Sequence, residues 1–123
     1  MNYTDWNILV ITLYQNGLTI NKSSTMRVDI EKMGGLMVKT LLIDVLNIMT
    51  SETLKTQTNS DIPINCNNWD EMSLSLFSYD DQYKNIILNR TEFTSNLLES
   101  NDFLYNKFIE LSGIVISETQ ITN

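Results

Sequence analysis

The amino-acid sequence predicts a single small α+β domain, with an antiparallel sheet, flanking helices and the element order α-β-β-α-β-β-α. Its 123 residues, 42% of them hydrophobic, suit one compact core. Short stretches with apolar residues at every second position predict strands, and longer stretches with apolar residues at helical spacing predict helices. We expect the domain to cover residues 1–116 and a frayed polar tail to follow at 117–123. No internal repeat is evident.

The first element has two interpretations. Thr4 or Asp5 can cap a helix over residues 6–14 that Gly17 ends. A strand is the alternative, because residues 8–12 are rich in β-branched side chains and Asn16 with Gly17 forms a favoured hairpin turn. The helix is favoured, since its cap, its apolar face and its stop agree with one another.

Two strands are expected next. Residues 18–20 and 26–30 alternate between apolar and polar side chains, which places one face on a core or groove. Residues 22–24 would form the turn between them. Gly34 and Gly35 then allow the chain to change direction.

An unusually apolar helix is expected from Leu36 to about Thr50. Its polar residues form one narrow stripe: Thr40, Asp44, Asn47 and Ser51. Such a helix needs apolar partners on more than one side, which indicates a subunit interface.

The second half predicts a hairpin followed by helix. A long polar connection over residues 51–68 leads to strands at 72–76 and 83–88, with a turn between them. Thr91 can cap the last helix, whose apolar residues include Phe93 and Phe108 and which ends near Gly113. Residues 100–102 leave open whether this is one helix or two.

The composition excludes several chemistries. The chain has no His, which removes the usual general base and the commonest metal ligand, and the single Cys66 cannot form an intramolecular disulfide. We therefore expect no catalytic activity, no metal and no cofactor. Residues 1–60 carry five basic and five acidic side chains, whereas residues 61–123 carry three and ten, so the whole net charge of −7 lies in the second half. We expect neither nucleic-acid binding nor membrane insertion. We expect a cytoplasmic protein.

The pattern resembles the class I type III secretion chaperones, the family of the Tir chaperone. The late hairpin and closing helix of that family are similar to "MSLSLFSYDDQYKNIILNRTEFTSNLLESNDFLYNKFIELSG". Its first and second helices correspond to the segment ending in "YQNGL" and to "LMVKTLLIDVLNIM".

The resemblance implies a homodimer that binds the N-terminal segment of an effector before export, without a cofactor. The implied effector-binding residues are Leu13, Leu18, Ile20, Met26, Val28 and Ile30. The implied dimer contact comprises Leu42, Val45, Met49, Leu74 and Leu76.

An acidic blocking protein is the alternative function. Its carboxylates would occupy the basic surface of a nuclease toxin or of a nucleic-acid-binding partner, as in immunity or anti-defence proteins. The candidate acidic surface comprises Asp70, Glu71, Asp80 and Asp81.

Overall fold

The computed structural model describes residues 6–51, 53–55, 63–65, 68–78, 83–99 and 102–113. The strands described are β1 (Ile8–Gln15), β2 (Leu18–Met26), β3 (Thr53–Lys55), β4 (Pro63–Asn65), β5 (Glu71–Phe77) and β6 (Tyr83–Asn89). The helices described are α1 (Arg27–Ile30), α2 (Gly35–Ser51), α3 (Arg90–Glu99) and α4 (Phe103–Ser112). Four antiparallel strands form a sheet in the order β2-β1-β5-β6, and β3 pairs with β4 separately. The predicted α+β fold class with an antiparallel sheet is confirmed.

The first element is a strand, so the favoured helix was wrong and its alternative was right. Asn16 and Gly17 have φ values of 53° and 80°, as a two-residue hairpin loop requires. β1 pairs with β2 on one side and with β5 on the other, and this double pairing outweighs the helical spacing of its apolar residues.

The turn predicted at residues 22–24 is absent, because β2 continues through these residues. The eight residues of β1 hold β2 in register along its whole length, with one bulge at Ile20. Met26 is the last residue of the strand. Val28 and Ile30 lie in the single turn of α1, so the second predicted strand was wrong.

The core lies between one face of the large sheet and the helices. β1 contributes Leu9, Ile11 and Leu13, and β5 contributes Met72, Leu74 and Leu76. The buried helical side chains packed against them include Val38, Leu42, Leu46, Met49, Phe93, Leu104, Phe108 and Leu111. On the opposite face, Tyr14 Oη and Ser73 Oγ share a hydrogen bond of 3.2 Å.

The helical predictions in the second half are refined rather than overturned. The structure has two helices here, Arg90–Glu99 and Phe103–Ser112, and the N–H of Gly113 donates to the carbonyl of Ile109 with φ of 66° at the glycine. α3 begins before Thr91, because Asn89 Oδ1 accepts the N–H of Glu92 at 2.7 Å and thereby caps the helix. The connection predicted at 51–68 contains β3 and β4. The predicted tail at 117–123, the turn at 80–82 and Cys66 lie outside the described residues.

The two hairpins are built alike, which contradicts the expectation that the chain has no internal repeat. Trp6 precedes β1 and Arg27 follows β2, just as Trp69 precedes β5 and Arg90 follows β6. Each arginine lies 21 residues after its tryptophan, donates to the tryptophan carbonyl and lies over its ring. Trp69 and Arg90 follow Trp6 and Arg27 by the same shift of 63 positions (69 − 6 and 90 − 27).

The central strand pair relates the two halves by an approximate two-fold axis. Ile11 of β1 lies directly opposite Leu74 of β5, and these residues are also 63 positions apart (74 − 11). Rotation about this axis therefore places each residue of β1 on its equivalent in β5, and each residue of β5 on its equivalent in β1. The edge strands β2 and β6 occupy equivalent positions, at opposite edges of one sheet.

Candidate partner-binding site

The six residues implied as effector-binding do not form one surface. Leu13, Ile20 and Ile30 are buried in the core. Leu18, Met26 and Val28 are exposed, but Leu18 and Met26 lie at the two ends of β2, about 26 Å apart at strand spacing. The structure therefore brings together at most Met26 and Val28.

The residues implied as a dimer contact lie within the chain's own core. Leu42, Met49, Leu74 and Leu76 are each at most 3% exposed, and Val45 packs against them while remaining half-buried. The four buried residues offer no exposed surface to a second subunit. One face of α2 thus packs within the chain, while Leu36, Met37 and Ile48 of the same helix are exposed.

Two of the four residues of the candidate acidic surface lie within the described residues. Asp70 and Glu71 are exposed, whereas Asp80 and Asp81 lie outside the described residues. The carboxylate of Asp70 accepts the N–H of Asn16 at 2.9 Å, which joins the turn of the first hairpin to the start of β5. Asp70 therefore has a structural role.

A groove of about 280 Å³ lies between the edge strand β6 and the helices α3 and α4. Its apolar lining consists of Ile86, Ile87, Leu88 and Leu111. Its charged lining consists of Lys84, Glu92, Lys107 and Glu110, two cations and two anions. The groove thus combines apolar side chains with charged ones whose formal charges sum to zero.

β6 also has a backbone edge that faces away from the sheet. The N–H of Arg90 donates to the carbonyl of Asp70 at 2.8 Å, so residues 70 and 90 form a hydrogen-bonded pair. Hydrogen-bonded and non-bonded pairs alternate in an antiparallel ladder. The backbone groups of Asn85 and Ile87 and the N–H of Asn89 therefore point outward, and no described strand pairs with them.

The equivalent edge in the first half is constructed differently. The N–H of Arg27 donates to the carbonyl of Asn7 at 2.9 Å, so Ser24 and Met26 point their backbone groups outward on β2. Asn21, the equivalent of Lys84, donates from Nδ2 to the carbonyl of Met49 at 3.2 Å. This bond ties β2 to α2, at the position where the second half has its groove.

The groups that the site presents are those of a strand edge and a groove. No cluster of three or more His, Cys, Asp or Glu side chains suited to a metal ion occurs in the described ranges. What the strand and groove present is a row of main-chain donors and acceptors beside an apolar cavity. This combination can pair with an extended polypeptide and accept one of its side chains.

Comparison with protein-family models, curated proteins and solved structures finds no match to this chain. Among the helices of the described part, none is both long enough and apolar enough to cross a membrane.

Sequence reasoning missed the groove, although it found the strand and helix that form it. Ile86, Ile87 and Leu88 are three consecutive apolar residues, and strict alternation would allow two of them on one face. Ile87, at 56% exposed, is the member that breaks the alternation. Such a residue on a predicted edge strand is the signal that could have located the site.

Proposed function

We propose that the protein is a binding module, without catalytic activity, that takes up an extended segment of a partner protein along β6. The segment adds a strand to the sheet and places an apolar side chain in the groove beside α4. The observation that carries this proposal is the coincidence of the outward backbone of Asn85, Ile87 and Asn89 with an apolar groove on the same strand.

The charge of the chain supports a partner segment with basic flanks. The net charge of −7 lies in residues 61–123, the half that contains β6 and α4. Long-range attraction would accelerate the approach of a basic segment, while the groove selects its apolar side chain.

The finer proposal is that of a cytoplasmic secretion chaperone that holds the N-terminal segment of an effector. An extended segment with an apolar anchor is what such a chaperone binds, and the β6 groove replaces the effector-binding residues that the resemblance implied. A homodimer stays a prediction, and if one forms, its contact lies outside the buried residues Leu42, Met49, Leu74 and Leu76.

The experiment selects binding segments from a library of displayed random peptides and measures their affinity for two variants. Asn85→Pro removes one outward N–H of β6 and leaves the β5–β6 hydrogen bonds in place. Ser24→Pro makes the same change on the equivalent edge strand β2 and is the matched control. We expect Asn85→Pro to weaken binding about tenfold or more and Ser24→Pro to leave it unchanged.

Three results would count against the proposal. Equal affinity of both variants would exclude strand addition to β6. Selection of acidic rather than apolar anchors would contradict the groove. Binding that high salt abolishes, with Asp70 and Glu71 at the contact, would favour the acidic blocking protein instead.

A further inference from the structure

The outer face of α2 is a second exposed surface, separate from the β6 groove. Leu36, Met37 and Ile48 are 73%, 61% and 59% exposed. The predicted polar stripe of Thr40, Asp44, Asn47 and Ser51 lies between these apolar residues and is exposed as well. The outer face therefore combines apolar flanks with a polar centre.

A groove of about 450 Å³ runs along one flank of this face. It is lined by Leu36, Lys39, Thr40, Ile43, Asp44 and Asp102. Leu36 and Ile43 are seven residues apart, about 10 Å along the helix axis, and lie on the same side of it. They form an apolar strip that is parallel to α2.

Among the charged side chains of this groove, Lys39 and Asp102 form an ion pair with each other, and Asp44 is in none of the ion pairs between described residues. Lys39 Nζ lies 3.3 Å from Asp102 Oδ1 and 5.1 Å from the centre of the Tyr105 ring, which holds the lysine in place. Asp44 forms no ion pair with any side chain in the described part of the chain. Within the described residues, the Asp44 carboxylate thus lies beside the apolar strip without an ion-pair partner.

We propose that this surface docks an amphipathic helix of a partner protein, with a basic side chain opposite Asp44 and apolar side chains on Leu36 and Ile43. The backbone groups of α2 are bonded within the helix, so the surface offers only side chains to a partner. A helix satisfies its own backbone and therefore fits such a surface, whereas an extended segment does not.

A second copy of the chain fits this surface poorly. Two copies meeting through α2 would bring their Asp44 carboxylates together, and Lys39 is already held by Asp102. The net charge of −7 on each chain adds further repulsion. Charge complementarity thus favours a basic partner of different sequence.

The test uses two synthetic fluorescein-labelled helical peptides of about five turns each. They share one leucine face and differ in the residues that border it, which are arginine in one peptide and glutamate in the other. Fluorescence anisotropy measures their affinity for the full chain. We expect the arginine peptide to bind about tenfold more tightly or better. Its arginines attract the Asp44 carboxylate, whereas the glutamates of the other peptide are repelled by it.

Two variants locate the contact. Asp44→Lys should weaken binding of the arginine peptide about tenfold. Asp29→Lys, an equal charge change on the exposed face of α1, should have little effect on this affinity. Equal affinity of the two peptides, equal effects of the two variants, or self-association through α2 would each overturn the proposal. Because α2 and β6 are separate surfaces, these results are independent of strand addition.

Discussion

The guanidinium of Arg27 lies 4.9 Å from the centre of the Trp6 ring and donates from Nη1 to the Trp6 carbonyl at 3.1 Å. Arg90 repeats this arrangement on Trp69, at 5.5 Å from the ring and 3.3 Å from the carbonyl. Each arginine thus closes the open end of one hairpin, where the first strand begins and the second ends.

Removal of either arginine should destabilise the fold. Arg27→Ala loses a hydrogen bond and a cation–π contact, and we expect it to lower the free energy of unfolding by about 1–3 kcal/mol. Arg90 is more exposed and its contacts are longer, so Arg90→Ala should cost less. Urea denaturation measures both, with the exposed Lys32→Ala as control. A loss no greater than that of the control would show that the arginines do not hold the hairpins.

The Asn16–Gly17 turn should be sensitive to substitution for reasons of backbone conformation alone. Gly17 has φ of 80°, and a Cβ added there would meet nothing within 4 Å. Gly17→Ala should therefore lower the free energy of unfolding by about 1 kcal/mol through strain in the left-handed region. Gly17→Asn should cost less, because asparagine tolerates this region better. Equal stability of the wild type and Gly17→Ala in thermal unfolding would contradict the type of turn.

Truncation of Leu74 distinguishes a core residue from a subunit contact. Leu74 is fully buried at the centre of β5, so Leu74→Ala should lower the free energy of unfolding by about 2–5 kcal/mol. The loss should be the same at every protein concentration, because the side chain is buried within one chain. A loss that grows on dilution would restore the predicted dimer contact.

Asp70 should contribute to folding as well as to surface charge. Asp70→Ala removes the acceptor for the N–H of Asn16, and we expect a loss of about 0.5–1.5 kcal/mol. Glu71→Ala is the control, since Glu71 is the next residue and is exposed at the start of β5. If both variants unfold at the same urea concentration, the hydrogen bond has no net effect.

Local signals predicted the β5–β6 hairpin and the end of the last helix, but not β3, β4 or the division into α3 and α4. Alternation predicted the hairpin of β5 and β6, and Gly113 marked the end of the last helix. The first half was harder, because residues 6–14 have helical spacing while residues 8–12 are rich in β-branched side chains and precede a favoured hairpin turn. The pairing of β1 with β2 and with β5, whose residues are 57 to 69 positions away in sequence (71 − 14 and 77 − 8), decides between them.

The binding site was less predictable than the fold. The family resemblance implied that Leu74 and Leu76 are interface residues, but their burial depends on helices that pack from distant parts of the chain. The groove depends in the same way on how α4 lies over β6. The internal repeat escaped detection because the equivalent residues Trp6 and Trp69, or Arg27 and Arg90, are few and widely separated.

The most direct test of strand addition is amide hydrogen exchange of the full chain, with and without a peptide selected for binding. Strand addition predicts that the outward amides of Asn85, Ile87 and Asn89 become protected in the complex. The outward amides of Ser24 and Met26 on the equivalent strand should exchange as before. Protection on β2 in place of β6, or no change at either edge, would contradict the proposed function.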